Sequence, residues 1–363
     1  MQDNILELAM KFIEIKSDEN HPDKFDHVLD IAKQQLKDFT IDEFVSNGYK
    51  SILAYNTKTR PDKFKIILNG HLDVIPGKDE QYNPKIDGDQ LYGVGSMDMK
   101  SNVACLIQAF NDMANQVDYP LGLQLVTDEQ IGGFDGTKYQ IDQGVRADFV
   151  LSGEASNFDI VYKAKGVAWL KITAFGQSAH GAYPWRGDNA ILKMAEFIRI
   201  LSNTFPNPHE EQWVSTINLS IIETTNTAFN KTPDNCSIIL DVRFIPEEAN
   251  VIIEKIKSIL PAGMNLEIIV NEPALNTDKN SEFVSILKQS SERVLKKDII
   301  LRGAQGSSDA RHYVHVNCPG VEFGPVGGNI ASDNEWVSIS SLTEYYMILI
   351  DFLSAVVNIK DVE

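Results

Sequence analysis

The stretch FKIILNGHLDVIP, residues 64–76, carries an apolar run that ends in a histidine and an aspartate two residues apart. Short apolar runs bounded by Gly and Pro are typical of buried strands, so the pattern predicts a strand with His71 and Asp73 just past its carboxyl end. Open α/β sheets bind their ligands at that end. The stretch therefore predicts one corner of a metal site, with a loop histidine held by a neighbouring carboxylate as the alternative.

Three further acidic residues stand at comparable places. Asp98 lies at the entrance of a predicted helix, and the apolar runs at 121–127 and 149–152 are followed by Glu129 and Glu154. Because the carboxyl ends of parallel strands meet at one edge of a sheet, we expect these three carboxylates to share a crevice with the histidine.

A cluster of three carboxylates favours a bound cation. Like charges a few ångströms apart repel, and a divalent cation is the usual compensation. Histidine with Asp and Glu but without Cys suits zinc, manganese or cobalt, and we expect zinc. Asp73 is placed to orient the ring of His71, and Glu129 is left as the general base for a water molecule.

The composition describes a folded, acidic protein. The chain has 363 residues, 43% of them hydrophobic, and a formal net charge of -18. This length favours two domains, and the charge argues against nucleic acid or an anionic membrane as the main partner. Cys105, Cys236 and Cys318 lack CxxC spacing, which favours a reducing, cytoplasmic location. The amphipathic run at 3–15 predicts a packed helix rather than a signal peptide or membrane span.

A change of pattern between residues 165 and 275 predicts an inserted domain. Strands and helices follow there in the order β-α-β-β-α-β, which is typical of a ferredoxin-like α+β unit. The α/β pattern resumes near residue 276. We therefore predict one discontinuous α/β domain, residues 1–164 and 276–363, with a second domain, residues 165–275, inserted in it.

Seven motifs occur in a fixed order along the chain: GHLDVIP, GVGSMDMK, TDEQIGG, SGEAS, GQSAHGAYPWRGDNAI, NKTP followed by DVR, and SSDARH followed by FGP. Together they resemble the aminoacylase, acetylornithine deacetylase and succinyl-diaminopimelate desuccinylase family of metallopeptidases, from residue 70 to about 337. The resemblance implies a zinc-peptidase-like α/β/α catalytic domain with an inserted ferredoxin-like domain that forms a homodimer. It also implies hydrolysis of an amide next to a free carboxylate, in a small-molecule N-acyl amino acid or dipeptide.

The resemblance assigns roles to the candidate metal ligands and catalytic residues. His71 and Glu154 match ligands of one metal, and Asp98 matches the carboxylate that bridges two metals. Glu129 matches the catalytic base. His180, in the inserted domain, matches a histidine that reaches into the partner subunit's site and stabilises the tetrahedral oxyanion.

Six polar residues match positions that bind the substrate or shape its pocket: Tyr183, Asn230, Arg243, Ser308, Asp309 and Arg311. Asn230 and Arg243 match contacts to the substrate carboxylate, for which the planar guanidinium of arginine is suited. Two alternatives stay open. Asp309 and Arg311 could pair locally, and Arg243 could form a surface charge pair with Asp241.

Two positions depart from the family pattern. Family members have a glutamate where this chain has Gln130 and a histidine where the alignment places Ala331, and no histidine follows His315. An amide is a poor metal ligand and a methyl group is none, so we predict a degenerate second site and one metal ion per chain. Replacement of the lost histidine by Asp333 after a loop shift is the less favoured alternative.

These departures leave two classes of function open. One ion held by His71, Asp98 and Glu154 still makes a hydrolytic centre, whereas loss of the second ion could leave a non-catalytic, ligand-binding or regulatory homologue. Retention of Glu129 and His180, together with the substrate-binding arginine, favours a hydrolase.

The substrate is less closely defined. Desuccinylases of the family tend to carry Arg-Arg-Gly where this chain has Ala164-Lys165-Gly166, and an asparagine where it has Gly327. We therefore predict an N-acyl-amino-acid deacylase, similar to acetylornithine deacetylase, or a dipeptidase, with a succinyl-diaminopimelate desuccinylase as the alternative.

Overall fold

The computed structural model describes residues 2–356, which divide into two compact units. Among the described residues the first unit comprises 2–163, 275–302 and 308–356, and the second comprises Ala164–Ala274 and Gly303–Ser307. The sequence pattern places the inserted domain at 165–275 and gives no sign that Gly303–Ser307 returns to it.

Up to residue 164 the described chain has four α-helices and eight strands. The helices are α1 (Gln2–Ile13), α2 (Asp23–Gln35), α3 (Lys100–Met113) and α4 (Thr137–Asp142). The strands are β1 (Thr40–Ser46), β2 (Tyr49–Tyr55), β3 (Phe64–His71), β4 (Lys85–Asp87), β5 (Gln90–Tyr92), β6 (Leu121–Val126), β7 (Ala147–Ser152) and β8 (Ile160–Ala164).

The second unit is a four-stranded antiparallel sheet with two helices. Its elements are β9 (Gly166–Phe175), α5 (Ala190–Thr204), β10 (Thr216–Glu223), β11 (Asn235–Phe244), α6 (Ile252–Ser258) and β12 (Met264–Glu272). The strand order is β10-β11-β9-β12. Leu170 and Leu240 from the sheet pack with Phe197 of α5 in a separate core. The predicted β-α-β-β-α-β, ferredoxin-like order is confirmed.

The chain then completes the first unit. The remaining α-helices and strands are β13 (Leu275–Asn276), α7 (Glu282–Leu295), β14 (Leu301–Ala304), β15 (Gly320–Glu322), β16 (Gly327–Gly328), β17 (Trp336–Ser338) and α8 (Ile339–Val356). Of these, β14 ends in the Gly303–Ser307 segment of the second unit. The main sheet has the order β1-β2-β6-β3-β7-β15-β8-β13, with β14 beside β8, and its centre, β6-β3-β7-β15, is parallel. A small antiparallel sheet has the order β16-β17-β5-β4.

Both faces of the main sheet are covered. Ile66 and Leu68 of β3 belong to a core cluster with residues of α1, α3 and α8, whereas Ile67, between them, belongs to a cluster with Ile141 of α4 on the other face. Successive side chains of a strand point to opposite faces, so a strand buried on both sides reads as an unbroken apolar run. The predicted α/β/α arrangement is confirmed.

Among the described residues one helix, α8, is long and apolar enough to cross a membrane, with 18 residues and a mean hydropathy of 1.3. Its residues Ile348, Leu349 and Phe352 are fully buried in the main core cluster. This packing is that of a helix in the protein core.

Candidate metal centre and catalytic residues

Three adjacent parallel strands bring the candidate residues to one edge of the main sheet. His71 is the last residue of β3, Glu129 follows β6 and Glu154 follows β7. Because β3 lies between β6 and β7 and runs parallel to both, the three residues lie at the same edge. Asp98 reaches this edge from the loop before α3.

The side chains converge on the imidazole of His71. Its Nε2 lies 3.0 Å from Asp98 Oδ1, 3.9 Å from Glu154 Oε1 and 3.9 Å from Glu129 Oε2. One ligand atom each from His71, Asp98 and Glu154 lie within 4.8 Å of one another. Bond lengths of about 2.0–2.2 Å to zinc place tetrahedral ligand atoms about 3.3–3.6 Å apart, so this spacing is close to that of a three-ligand site.

The backbone fixes the orientation of the His71 ring. Nδ1 lies 3.0 Å from the carbonyl oxygen of Asp73 and 3.5 Å from its side-chain Oδ1. A carbonyl oxygen only accepts, so Nδ1 carries a hydrogen, and Nε2 is the nitrogen that faces the carboxylates and would bind a metal ion. The side chain of Asp73 has another contact as well, since its Oδ2 accepts the backbone N–H of Gln130 at 2.8 Å.

The electrostatics of the site fit a cation. Oε1 of Glu154 is buried and accepts no hydrogen bond from the described residues. Burial, with the charges of Glu129 and Asp98, raises the pKa of Glu154 well above its usual value although His71 opposes the shift. Burial likewise raises the pKa of Glu129 to about 8, again opposed by His71. A divalent ion would relieve this desolvated negative charge, so the residues present fit the metal that the ligand types predict.

A buried glutamate holds the loop that carries Asp98. Oε1 of Glu335 accepts the backbone N–H groups of Met97, at 2.8 Å, and Asp98, at 3.0 Å. Burial raises the pKa of Glu335 to about 7, although these hydrogen bonds lower it. The peptide bond between Asp98 and Met99 is cis. The sequence pattern gives no sign of this contact.

Gln130 and Ala331, the two residues that differ from the family pattern, lie in different surroundings. Nε2 of Gln130 donates to Asp98 Oδ2 at 3.2 Å, on the carboxylate oxygen that does not face His71. Ala331 lies in an exposed turn with a φ of 58°. Asp333 is exposed and paired with Lys78, so its carboxylate is engaged by a surface cation rather than directed to the metal ligands.

The loop of Ser308, Asp309 and Arg311 is buried. Arg311 donates to the carbonyl oxygens of Ser308, at 2.8 Å, and Gly132, at 2.5 Å, so it ties its own loop to the segment after Gln130. Asp309 Oδ2 accepts the hydroxyl of Thr137 at 2.6 Å. These contacts are structural, and pocket-shaping by this loop stays a prediction.

In the second unit, His180 and Asn230 lie on neighbouring loops, because the carbonyl oxygen of Asn230 accepts the N–H of Gly181 at 2.6 Å. Nδ1 of His180 accepts the N–H of Ala182 at 3.1 Å, so the ring hydrogen is on Nε2, a donor suited to a developing oxyanion. The ring of Tyr183 lies 5.7 Å from that of His180.

Arg243 is elsewhere in the second unit, on β11. Its Nε donates to both carboxylate oxygens of Asp241 at 2.9 and 3.1 Å. This is the local pair that the sequence left open as an alternative, and it leaves the Nη groups of Arg243 as the donors to a further carboxylate.

A parallel sheet with a histidine and three carboxylates, one of them a candidate base, at the carboxyl edge of its strands defines a metal-dependent hydrolase. The profile of the peptidase family M20/M25/M40 matches residues 67–355, and the chain belongs to this family. The resemblance carried by the seven motifs is confirmed, and the chain is an enzyme of the metallopeptidase and amidohydrolase class.

Relatives and solved structures agree with this assignment. A succinyl-diaminopimelate desuccinylase of Rickettsia bellii (strain OSU 85-389) is 27% identical over 361 residues, covering 90% of this chain and 88% of the relative. Aminopeptidase PepT from Bacillus cereus has a TM-score of 0.80 at 17% identity, over 98% of this chain and 99% of that chain. The YXEP protein of Bacillus subtilis, described as a dinuclear metal-binding peptidase of the family, has a TM-score of 0.73 at 14% identity, over 98% of both chains. At these identities the two structures show the fold alone.

Proposed function

We propose that this chain hydrolyses the amide bond of a small N-acyl amino acid or dipeptide, next to a free carboxylate. The observation that supports it most directly is the convergence of Asp98, Glu129 and Glu154 on Nε2 of His71, within 3.0 to 3.9 Å. The candidate base, Glu129, lies 3.9 Å from Nε2 of His71, and its position beside the candidate ligands supports a hydrolase over the non-catalytic alternative.

His71, Asp98 and Glu154 would hold one divalent ion, with zinc preferred to manganese or cobalt. Such an ion polarises the scissile carbonyl and makes water a stronger nucleophile. Glu129 takes a proton from the attacking water and passes it to the leaving nitrogen as the C–N bond breaks. Burial and the neighbouring carboxylates raise the pKa of Glu129 in the metal-free site, and a divalent ion bound beside it would lower that pKa and favour the carboxylate that accepts the proton.

The second metal site of the family is degenerate in this proposal. The amide of Gln130 satisfies Asp98 Oδ2 with a neutral hydrogen bond, and Ala331 has no ligand atom. Asp98 then acts as a terminal ligand of one ion per chain rather than as a bridge between two.

The substrate carboxylate would be bound by Asn230 and Arg243, with Tyr183, Ser308 and Arg311 shaping the pocket. A succinyl-diaminopimelate substrate, as in the relatives of that name, is the alternative within the same reaction class. The substitutions at Ala164-Lys165-Gly166 and Gly327 argue against it.

We also propose that the protein is a cytoplasmic homodimer assembled through residues 165–275, with His180 acting in the partner's site. Leu219, Ile221 and Ile222 are 39%, 51% and 54% exposed on β10, an edge strand of the second unit. Exposed apolar edge strands favour pairing with another chain. The three cysteines are buried and unpaired, which is compatible with a reducing compartment.

The test is hydrolysis of a panel of N-acetyl amino acids, dipeptides and N-succinyl-diaminopimelate by protein loaded with zinc, manganese or cobalt. Turnover of one class that a chelator removes and added metal restores is expected. No turnover by fully metallated, folded protein would favour the non-catalytic alternative.

A further inference from the structure

A cavity of about 160 Å³ lies beside the candidate metal centre in the first unit. Asp73 and Gln130 form part of its wall, and Phe25, Tyr49, Ile75 and Ile131 contribute apolar or aromatic surface. A cavity of about 150 Å³ is large enough to bind a benzene ring, so this one can hold an amino-acid side chain.

The cavity is joined to the site by two hydrogen bonds. The backbone N–H of Gln130 donates to Asp73 Oδ2 at 2.8 Å, and its side-chain Nε2 donates to Asp98 Oδ2 at 3.2 Å. Its wall is therefore one hydrogen bond from a candidate metal ligand.

The charged residues that line the cavity are all acidic. Glu19 and Asp73 are among its lining residues, and no lysine, arginine or histidine is. Burial raises the pKa of Tyr49 in the wall, and the charges of Asp128, Asp135, Asp73 and Glu19 raise it further. A carboxylate placed here meets repulsion without a compensating cation, whereas an ammonium group is attracted.

We propose that this cavity binds the acyl side of the substrate and that the acyl group is an aminoacyl residue with a free ammonium group and an apolar side chain. This inference rests on the proposed amide hydrolysis. It makes short peptides with a free amino terminus the substrate class and disfavours succinyl and other diacid amides. The cavity takes the acyl side because the leaving amino acid carries the carboxylate, which needs a basic partner that these walls do not offer.

Three substrates with the same leaving residue distinguish an aminoacyl group from an uncharged acyl group and from a succinyl group. They are leucyl-alanine, 4-methylpentanoyl-alanine, which keeps the apolar group but lacks the ammonium, and succinyl-alanine. We expect kcat/KM to fall in that order, with a difference of about tenfold or more between the first and the last, as for loss of a charged interaction. Succinyl-alanine cleaved as fast as leucyl-alanine would overturn the inference and leave the proposed function standing. Failure of the metal-loaded protein to cleave any substrate of the full panel would instead contradict the proposed function.

Variants at Glu19 test the charge directly. Glu19→Gln is expected to lower kcat/KM for leucyl-alanine by about tenfold and to leave 4-methylpentanoyl-alanine nearly unchanged. Glu19→Lys should raise the rate with succinyl-alanine relative to leucyl-alanine. Glu14→Gln, an exposed glutamate of the same segment that does not line the cavity, is the matched control. Equal losses for both substrates, or an equal effect in the control, would contradict the assignment.

Discussion

Nε2 of Gln130 donates a hydrogen bond to Asp98 Oδ2, while Asp98 Oδ1 lies 3.0 Å from Nε2 of His71. The two oxygens of one carboxylate are thus engaged by a neutral amide on one side and an imidazole on the other. A second cation on the Gln130 side would have to displace this amide, which is a weak ligand.

We therefore predict one tightly held metal ion per chain. Elemental analysis after exchange into metal-free buffer should give about one ion, and the double substitution Gln130→Glu with Ala331→His should raise this number towards two. The exposed turn at Ala331 has a positive φ, which histidine adopts more readily than β-branched residues do. Gln34→Glu, on the exposed face of α2, is the control for added charge. Two tight ions in the wild-type protein would refute the single-site proposal.

Replacement of Glu129 should separate catalysis from metal binding. Glu129→Gln removes the base, so we expect kcat to fall by about 10²- to 10⁴-fold while metal content stays at the wild-type value. Glu344→Gln, exposed on α8, should leave both quantities unchanged. Unaltered turnover in the Glu129 variant would rule out this residue as the base.

Metal should stabilise the fold through Glu154. Ligand at about 100 times its Kd stabilises a protein by about 2.7 kcal/mol, so a chelator should lower the Tm of the wild-type protein and added zinc should restore it. Glu154→Gln should largely lose this zinc-dependent shift, because an amide oxygen binds the ion weakly. A variant that retained the full shift would show that Glu154 is not a ligand.

Glu335 should act on the metal by positioning Asp98. Loss of a buried, charged acceptor costs about 1.5–3 kcal/mol, so Glu335→Ala should lower the free energy of unfolding by that order. We also expect the affinity for zinc to fall by about 10- to 100-fold, as for other residues that support a ligand. Glu335→Gln retains a carbonyl acceptor and should recover part of both quantities. A variant with lower stability but unchanged zinc affinity would limit Glu335 to a structural role.

Subunit mixing should test the role of His180. His180→Ala and Glu129→Ala proteins, each inactive alone, should regain partial activity after subunit exchange if one protomer supplies His180 to the other. His209→Ala, an exposed histidine of the same unit, should remain active without mixing. Light scattering gives the mass of the wild-type protein. A monomer, or proven exchange without recovery, would contradict the dimer proposal.

The sequence predicted the strand ends well because a strand buried on both faces leaves a plain apolar run before its last residue. His71, Glu129 and Glu154 could be placed on this basis, since the parallel neighbours β6, β3 and β7 end at one edge. Glu335 could not be found in this way. Glu335 accepts hydrogen bonds from two backbone N–H groups more than 230 residues away in the sequence. Contacts to the backbone do not depend on residue type, so no sequence pattern predicts them.

The same limit applies to Arg311. The resemblance assigns it to a loop that shapes the substrate pocket, yet its side chain is buried and donates hydrogen bonds to two backbone carbonyls. The predicted boundary at 275 likewise omits Gly303–Ser307, because five residues without periodicity give no sign of the unit to which they belong.

His71 Nδ1 donates a hydrogen bond to the backbone carbonyl of Asp73. The main chain, and not only a side chain, therefore sets the direction in which the other ring nitrogen, Nε2, faces. Every residue at position 73 supplies that carbonyl, so substitution there cannot delete it. The backbone conformation of residues 71–73 therefore helps to determine the orientation of the imidazole ring. The side chain of Asp73 adds a second contact to the ring, with Oδ1 3.5 Å from Nδ1, and its Oδ2 joins two loops of the site by accepting the N–H of Gln130.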